Sequence, residues 1–275
     1  METNPIQGMI HSYGLRHGLD THHNTFVPLD QGQHTRIADA FHAMPHEPHH
    51  PLVVASSNAL KQGLEDQYEH ALRHGYRFTP WEGKGQPYAN SAEMMSDALG
   101  NKHLHYFRTE EGFGQNNGFA DHPLLTPAPF RIANHRTTHN DLLRLVHDLY
   151  GHAAYGHKFG PLGEDRAWHS HLQMFHPDAH LALTLNTRAQ NAWVNNGPHM
   201  RRPDGSLPIK GDSDWVPLEK RPYAEQKVGR LPGWAMRPAW STKSVELDPV
   251  ENHRHFFALW RVNQTRHTPV YGLAS

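Results

Sequence analysis

The segment His147-Asp148-Leu149-Tyr150-Gly151-His152 places two imidazoles five residues apart, with an acid and a glycine between them. Histidine is the commonest metal ligand. Two histidines and one carboxylate form the set that leaves open positions on a mononuclear ferrous ion. Glu164 offers such a carboxylate, giving a metal-ligand set of His147, His152 and Glu164. A regular helix turns about 500° over five residues, so the two imidazoles would diverge by about 140°. Gly151 can loosen the last turn and let them converge. Asp148 and His152 are i and i+4 on one face, so Asp148 is expected to orient a ligand histidine through its second nitrogen.

Further on, Asn186-Thr187-Arg188-Ala189-Gln190-Asn191 crowds polar groups into one helical stretch. Such groups are costly to bury without hydrogen bonds, so they either face a pocket or lie on the surface. Facing a pocket, Arg188 and Gln190 would position substrate, while Asn186 and Asn191 would border a cofactor. Asp148 and Glu164 are the candidate acid–base groups. Blander readings stand beside each. The chain holds 27 histidines against 26 Lys and Arg, so a His-x4-His pair arises readily by chance. Glu164 could be only a first-turn helix acid, and Arg188 only an ion-pair residue. His169 and His171 are weaker ligand candidates.

The elements that must position these groups are mainly helical. The spacing of Leu60, Leu64, Tyr68 and Leu72 predicts a helix over 52–74, with Gly75 at its end. Shorter helices are expected over 33–43 and 90–99, and brief strands over 76–79 and 103–107. Residues 138–156, 163–175 and 177–193 read as three helices, the first with an apolar face of Leu142, Leu145, Val146, Leu149 and Tyr150. Residues 1–30 read as irregular and 110–118 as a Gly-rich loop. Residues 124–129 read as extended chain, and 255–260 as a strand or helix. The expected fold is mainly α (α+β): one helical domain over 1–275, with short strands and long loops. Its metal-binding core spans 126–196, and an irregular wrapping segment spans 197–240.

Composition narrows the function classes. There is no cysteine, which excludes disulfides, thiolate metal sites and a cysteine nucleophile. The net charge of −1 gives no field favouring nucleic acid or an anionic membrane. No apolar run approaches the ~20 residues that span a bilayer, and no signal peptide opens the chain. A cytoplasmic protein is expected, with self-association left open. Glu111-Gly112-Phe113-Gly114 is too short for a phosphate-binding loop.

His147–His152 resembles the His-Glu-Leu-Leu-Gly-His motif of the pterin-dependent aromatic amino acid hydroxylases. Thr126-Pro127-Ala128-Pro129 resembles their Thr-Pro-Glu-Pro run, though in that family it lies much closer to the histidines. The resemblance spans 126–193 at most. It implies Fe(II) on His147 and His152 and places the family's glutamate ligand near Asn186. Asparagine has no charge to offer iron. Either Glu164 supplies the carboxylate, or the third position is vacant for an anion, as in non-heme iron halogenases. A second resemblance, to phage-encoded proteins with a His-Asp-x-x-Gly-His motif, covers His147, Asp148, His152, Glu164, Trp168, Arg188, Gln190 and Asn191, and implies no activity.

Three functions follow as expectations. The first is a mononuclear non-heme iron oxygenase-type enzyme, hydroxylating or halogenating a small amino-acid-like or aromatic substrate with molecular oxygen. A pterin or other cosubstrate is left open. The second is a zinc hydrolase, in which the same ligands lower the pKa of bound water to about 7 and Asp148 or Glu164 is the base. The third is a non-enzymatic phage-type accessory protein that keeps a metal site.

Overall fold

A computed structural model describes residues 4–22, 26–112 and 120–238; the expected element at 255–260 and most of the 110–118 loop lie outside them. The described chain is mainly helical, with two small two-stranded sheets.

The first element corrects an expectation. Residues 5–17 are not irregular but form helix α1 (Pro5–His17). Asn4 caps it by accepting a hydrogen bond from the Ile6 N–H, and Pro5 stands where its missing N–H costs nothing. Ile6, Met9, Ile10 and Tyr13 recur at i, i+3, i+4 and i+7 and are all buried. Glycines and histidines between them hide the pattern from a composition-minded reading.

Helix α2 (Gln31–Ala43) begins with a capping box between Asp30 and Gln33. Helix α3 (Pro51–Arg73) runs through the interior, burying Leu60, Leu64, Gln67, Tyr68 and Ala71. Strand β1 (Arg77–Pro80), helix α4 (Ser91–Gly100) and parallel strand β2 (His103–Tyr106) form a crossover unit, with Phe78 opposite Leu104. A short helix α5 (Thr109–Gly112) follows. The chain then makes an antiparallel hairpin, β3 (Pro127–Ile132) and β4 (His135–Thr138). Leu124 and Leu125 belong to a 3-10 turn, Pro123–Leu125, so the extended chain expected over 124–129 starts only at Thr126; it runs on into a hairpin turn whose residues Ala133 and Asn134 both have positive φ.

Helix α6 (His139–Val146) starts at a Thr138–Asp141 capping box and passes directly into a π-helical turn, His147–Ala153. Helix α7 (Pro161–Leu172) packs against that turn. Helix α8 (His180–Thr184), a second π-helical turn (Leu185–Ala189) and helix α9 (Gln190–Asn196) follow without a break. The long helix expected over 138–156 therefore ends in a wider turn, and the one expected over 177–193 is interrupted by one. Residues 197–238 are irregular, with short 3-10 turns.

Two apolar clusters organise the packing. One gathers α1, α3, β1, α4, β2 and α6 with the first π-helical turn around Leu60, Leu64, Leu142, Val146, Leu149, Tyr150 and Trp168. The other joins α2 and α9 to the irregular segment through Ile37, Phe41, Leu185, Val228, Leu231 and Trp234. Each fully buried side chain of this size contributes about 1.5–3 kcal/mol of apolar burial. That holds 224–235 against helices although it has almost no secondary structure.

Candidate metal centre

The π-helical turn resolves the angular problem posed by a five-residue spacing. Its backbone bonds reach from residue i to i+5: the Ala154 N–H donates to the Leu149 carbonyl at 3.1 Å. Residues five apart then come to the same side. His147 and His152 bring their rings to a 5.1 Å centroid separation, nearly perpendicular at 86°. Helix α7 supplies the third group. Glu164 Oε2 lies 3.3 Å from His152 Nε2 and 3.6 Å from His147 Nε2, and the three ligand atoms lie within 4.8 Å of one another. Ligands about 2.1 Å from a shared ion stand roughly 3.0–3.4 Å apart at octahedral or tetrahedral angles. The two separations from Glu164 lie in or near that range.

Close approach of the two elements depends on two glycines. A Cβ on Gly151 would meet the Ala167 carbonyl oxygen at 3.1 Å and the Ala167 Cβ at 3.3 Å. A Cβ on Gly163 would lie 1.5 Å from the Lys158 carbonyl oxygen, so the chain entering α7 can cross itself only there. Asn191 of α9 donates to the Pro161 carbonyl at 2.8 Å and ties down the start of α7, one turn before Glu164.

Electrostatics agree with the geometry. Burial opposes the charge on Glu164, yet the proximity of His147 and His152 holds its carboxyl well below the usual range. Burial likewise opposes charge on His152, and the Glu164 carboxylate overrides it, lifting the imidazole to about 9. A proton on His152 satisfies only part of the site. His147 Nε2 is buried without a hydrogen-bond partner among the described residues, since 3.6 Å to Glu164 is too long for one. A cation bound by all three groups would satisfy it.

The trio borders a cleft of about 750 Å³. His147, Asp148 and Glu164 line it, whereas His152 is 1% exposed and closes the inner side. Open coordination positions would therefore face the cleft. Tyr88, Phe107, Phe159 and Tyr223 give it aromatic surface, and Arg144 gives it a cation.

Among the residues expected at the site, Asn186, Gln190 and Asn191 do line the cleft, but their amides are engaged with the protein. Asn186 donates to the Ala182 carbonyl at 2.8 Å, and Gln190 pairs with Gln226 at 3.3 Å. Arg188 is a correction. It is fully buried, 2.8 Å from Asp165, with its guanidinium 3.9 Å from the Trp168 ring and donating to the Arg237 carbonyl. It is not among the cleft residues, so from the second π-helical turn it joins helix α7 to the irregular segment instead of reaching substrate. The role expected of Asp148 is also corrected. His152 Nδ1 donates to the His157 carbonyl at 2.9 Å, and His147 Nδ1 faces His171 Nδ1 at 3.3 Å. Asp148 orients neither ring. Asp148 lines the cleft, and burial raises the pKa of its carboxyl. His169 stands edge-on to Phe26 and is not among the converging ligand groups.

Sequence reasoning missed Gln67, which accepts a hydrogen bond from His171 Nε2 at 2.7 Å. Nothing in its neighbourhood signals this, because it lies 104 residues from its partner on the buried face of α3.

No family model matches the chain, and comparisons with characterised proteins and with solved structures return no similar protein.

Proposed function

We propose that the protein is a metal-dependent oxidoreductase of the mononuclear non-heme iron type, acting on a small molecule held in the cleft. The observation that carries this reading is the convergence of His147 Nε2, His152 Nε2 and Glu164 Oε2 with the cleft on their open side. Two imidazoles and one carboxylate with free positions are the donor set of oxygen-using ferrous sites. The bound metal would supply oxygen activation. The chain's own groups would do the rest. His147, His152 and Glu164 hold the ion. Asp148 accepts or returns a proton at its carboxylate. The aromatic walls exclude water and orient a small, partly apolar substrate, and Asn186 and Gln190 border it. Because Glu164 provides a carboxylate, hydroxylation is favoured over a halide-ligated site.

A zinc hydrolase is the second reading. It is favoured by the position of Asp148, which lies beside the ligands, lines the cleft and makes no side-chain hydrogen bond among the described residues; a base for metal-bound water would stand there. Among the described residues, no helix is long and apolar enough to cross a membrane.

Anaerobic purification followed by Fe(II) and Zn(II) titration tests both readings. A single Fe(II) per chain is expected, with binding lost in His147→Ala and Glu164→Gln, and oxygen consumption only by the iron form. Chelator inhibition reversed by zinc without oxygen would favour the hydrolase. Failure of wild-type protein to bind either ion would overturn both.

A further inference from the structure

The donor atom that His147 presents to the cleft is fixed from the other side of the ring. Gln67 Nε2 donates to the Met174 carbonyl at 3.1 Å. The opposite amide orientation would press two carbonyl oxygens together, so Oε1 must face His171. Its partner there is His171 Nε2 at 2.7 Å, and an amide oxygen only accepts, so His171 carries its proton on Nε2. The remaining His171 nitrogen, Nδ1, is then a lone pair, and it faces His147 Nδ1 at 3.3 Å. Only a proton on His147 Nδ1 makes that contact attractive. In the neutral ring, His147 Nε2 is then the lone pair, 3.6 Å from Glu164 Oε2.

We propose that Gln67 and His171 are positioning residues that impose the Nδ1–H tautomer on His147 and so set the affinity of the site for a divalent cation. The inference rests on the metal-site reading above. The two positioning side chains are fully buried, which removes water as a competing partner for either nitrogen. Unlike the carboxylate–histidine–metal arrangement, this relay ends on an uncharged amide. It orients the ligand without adding negative charge to the interior. His152 needs no such partner, because its own Nδ1 donates to a backbone carbonyl, that of His157.

The test uses zinc as a diamagnetic probe on the full chain. His171→Phe keeps the ring volume and removes the acceptor; His171→Asn restores an acceptor oxygen close to the lost Nδ1. Partners of this kind change metal affinity by about 10–100-fold. We expect zinc affinity to fall by that factor in His171→Phe, to recover largely in His171→Asn, and to fall less in Gln67→Leu. Thermal melts identify any variant that does not fold, and the folded ones carry the comparison. Nitrogen NMR of the zinc-loaded wild type should show the His147 proton on Nδ1. Folded His171→Phe binding as tightly as wild type, or a His147 proton on Nε2, would overturn the relay while leaving the metal site intact. If wild-type protein binds no ion, the metal reading fails by itself. The relay is then judged in metal-free protein, where His171 must be neutral with its proton on Nε2; a proton on Nδ1 would overturn it.

Discussion

At residue 151 the side chain matters by its absence. Sequence reasoning assigned Gly151 the freedom to loosen a turn, but its backbone is not in the left-handed region. What glycine provides is space: the π-helical turn lies against the Ala167 carbonyl, and His147 Nδ1 stands 3.3 Å from where a Cβ would be. Gly151→Ala should push the turn off α7 and separate His147 from both Glu164 and His171. Overpacking of this size costs about 1–3 kcal/mol. A lower urea midpoint together with weaker zinc binding is the expected result, and unchanged values for both would contradict it. His147, His152 and Glu164 were legible as candidates because their types and proximity in sequence are informative. Arg188 misled for a physical reason. A charged side chain in a polar run looks like a pocket residue until its buried partner, Asp165, and the Trp168 ring are seen beside it.

Among the elements, α1 has a role that its own sequence does not reveal. Asn4 Nδ2 donates to the Ala153 and Ala154 carbonyls at 2.9 and 3.0 Å, and Gln7 Nε2 donates to the Ala154 carbonyl at 3.0 Å. These carbonyls end the π-helical turn and lack helical partners of their own. The same Asn4 oxygen caps α1, so one side chain fixes two helix ends. Asn4→Ala should destabilise the protein by about 1–2 kcal/mol, the cost of a lost cap. It should also speed amide exchange around residues 149–154. Exchange faster only within α1 would show that the turn holds itself. The placement of α2, α3 and α4 followed from caps and apolar spacing, whereas α7 begins and ends earlier than the 163–175 expected. The wider turns in the longer helices did not follow from them, because local propensity does not distinguish a π-helical turn from an α-helical one. Packing decides between them.

At the scale of the whole molecule, the many histidines do not act alike. Some pair with acids near the surface, as His46 does with Asp121. Others are interior and uncharged. Burial depresses the pKa of His70 to about 4, although its bond to the Met9 carbonyl opposes the shift, and it depresses His122 to about 4 as well. The unfolded chain takes up these protons near the ordinary value of 6.5, whereas the native state resists until about 4. Stability is therefore fully present above about pH 6.5 and is lost as pH falls toward about 4, by a few kcal/mol for each buried ring. Urea midpoints measured between neutral pH and 4.5 should fall steadily through this window. A flat profile would contradict the assignment.

By itself the sequence determined the mainly helical class, the placement of most helices, the lack of thiolate chemistry, and a short set of ligand candidates. Each of these depends on residue type or on spacing within one element. The tertiary structure decided that the five-residue histidine spacing converges, because a π-helical turn replaces an α-helical one against α7. It decided that Glu164 and not Asn186 meets the histidines, that Arg188 is sealed in an ion pair, and that Gln67 stands behind His171 and His147. Those outcomes depend on which surfaces touch across 12 to 104 residues of chain. Hydrogen-bond direction and the room for a single Cβ are settled only once those surfaces are in contact.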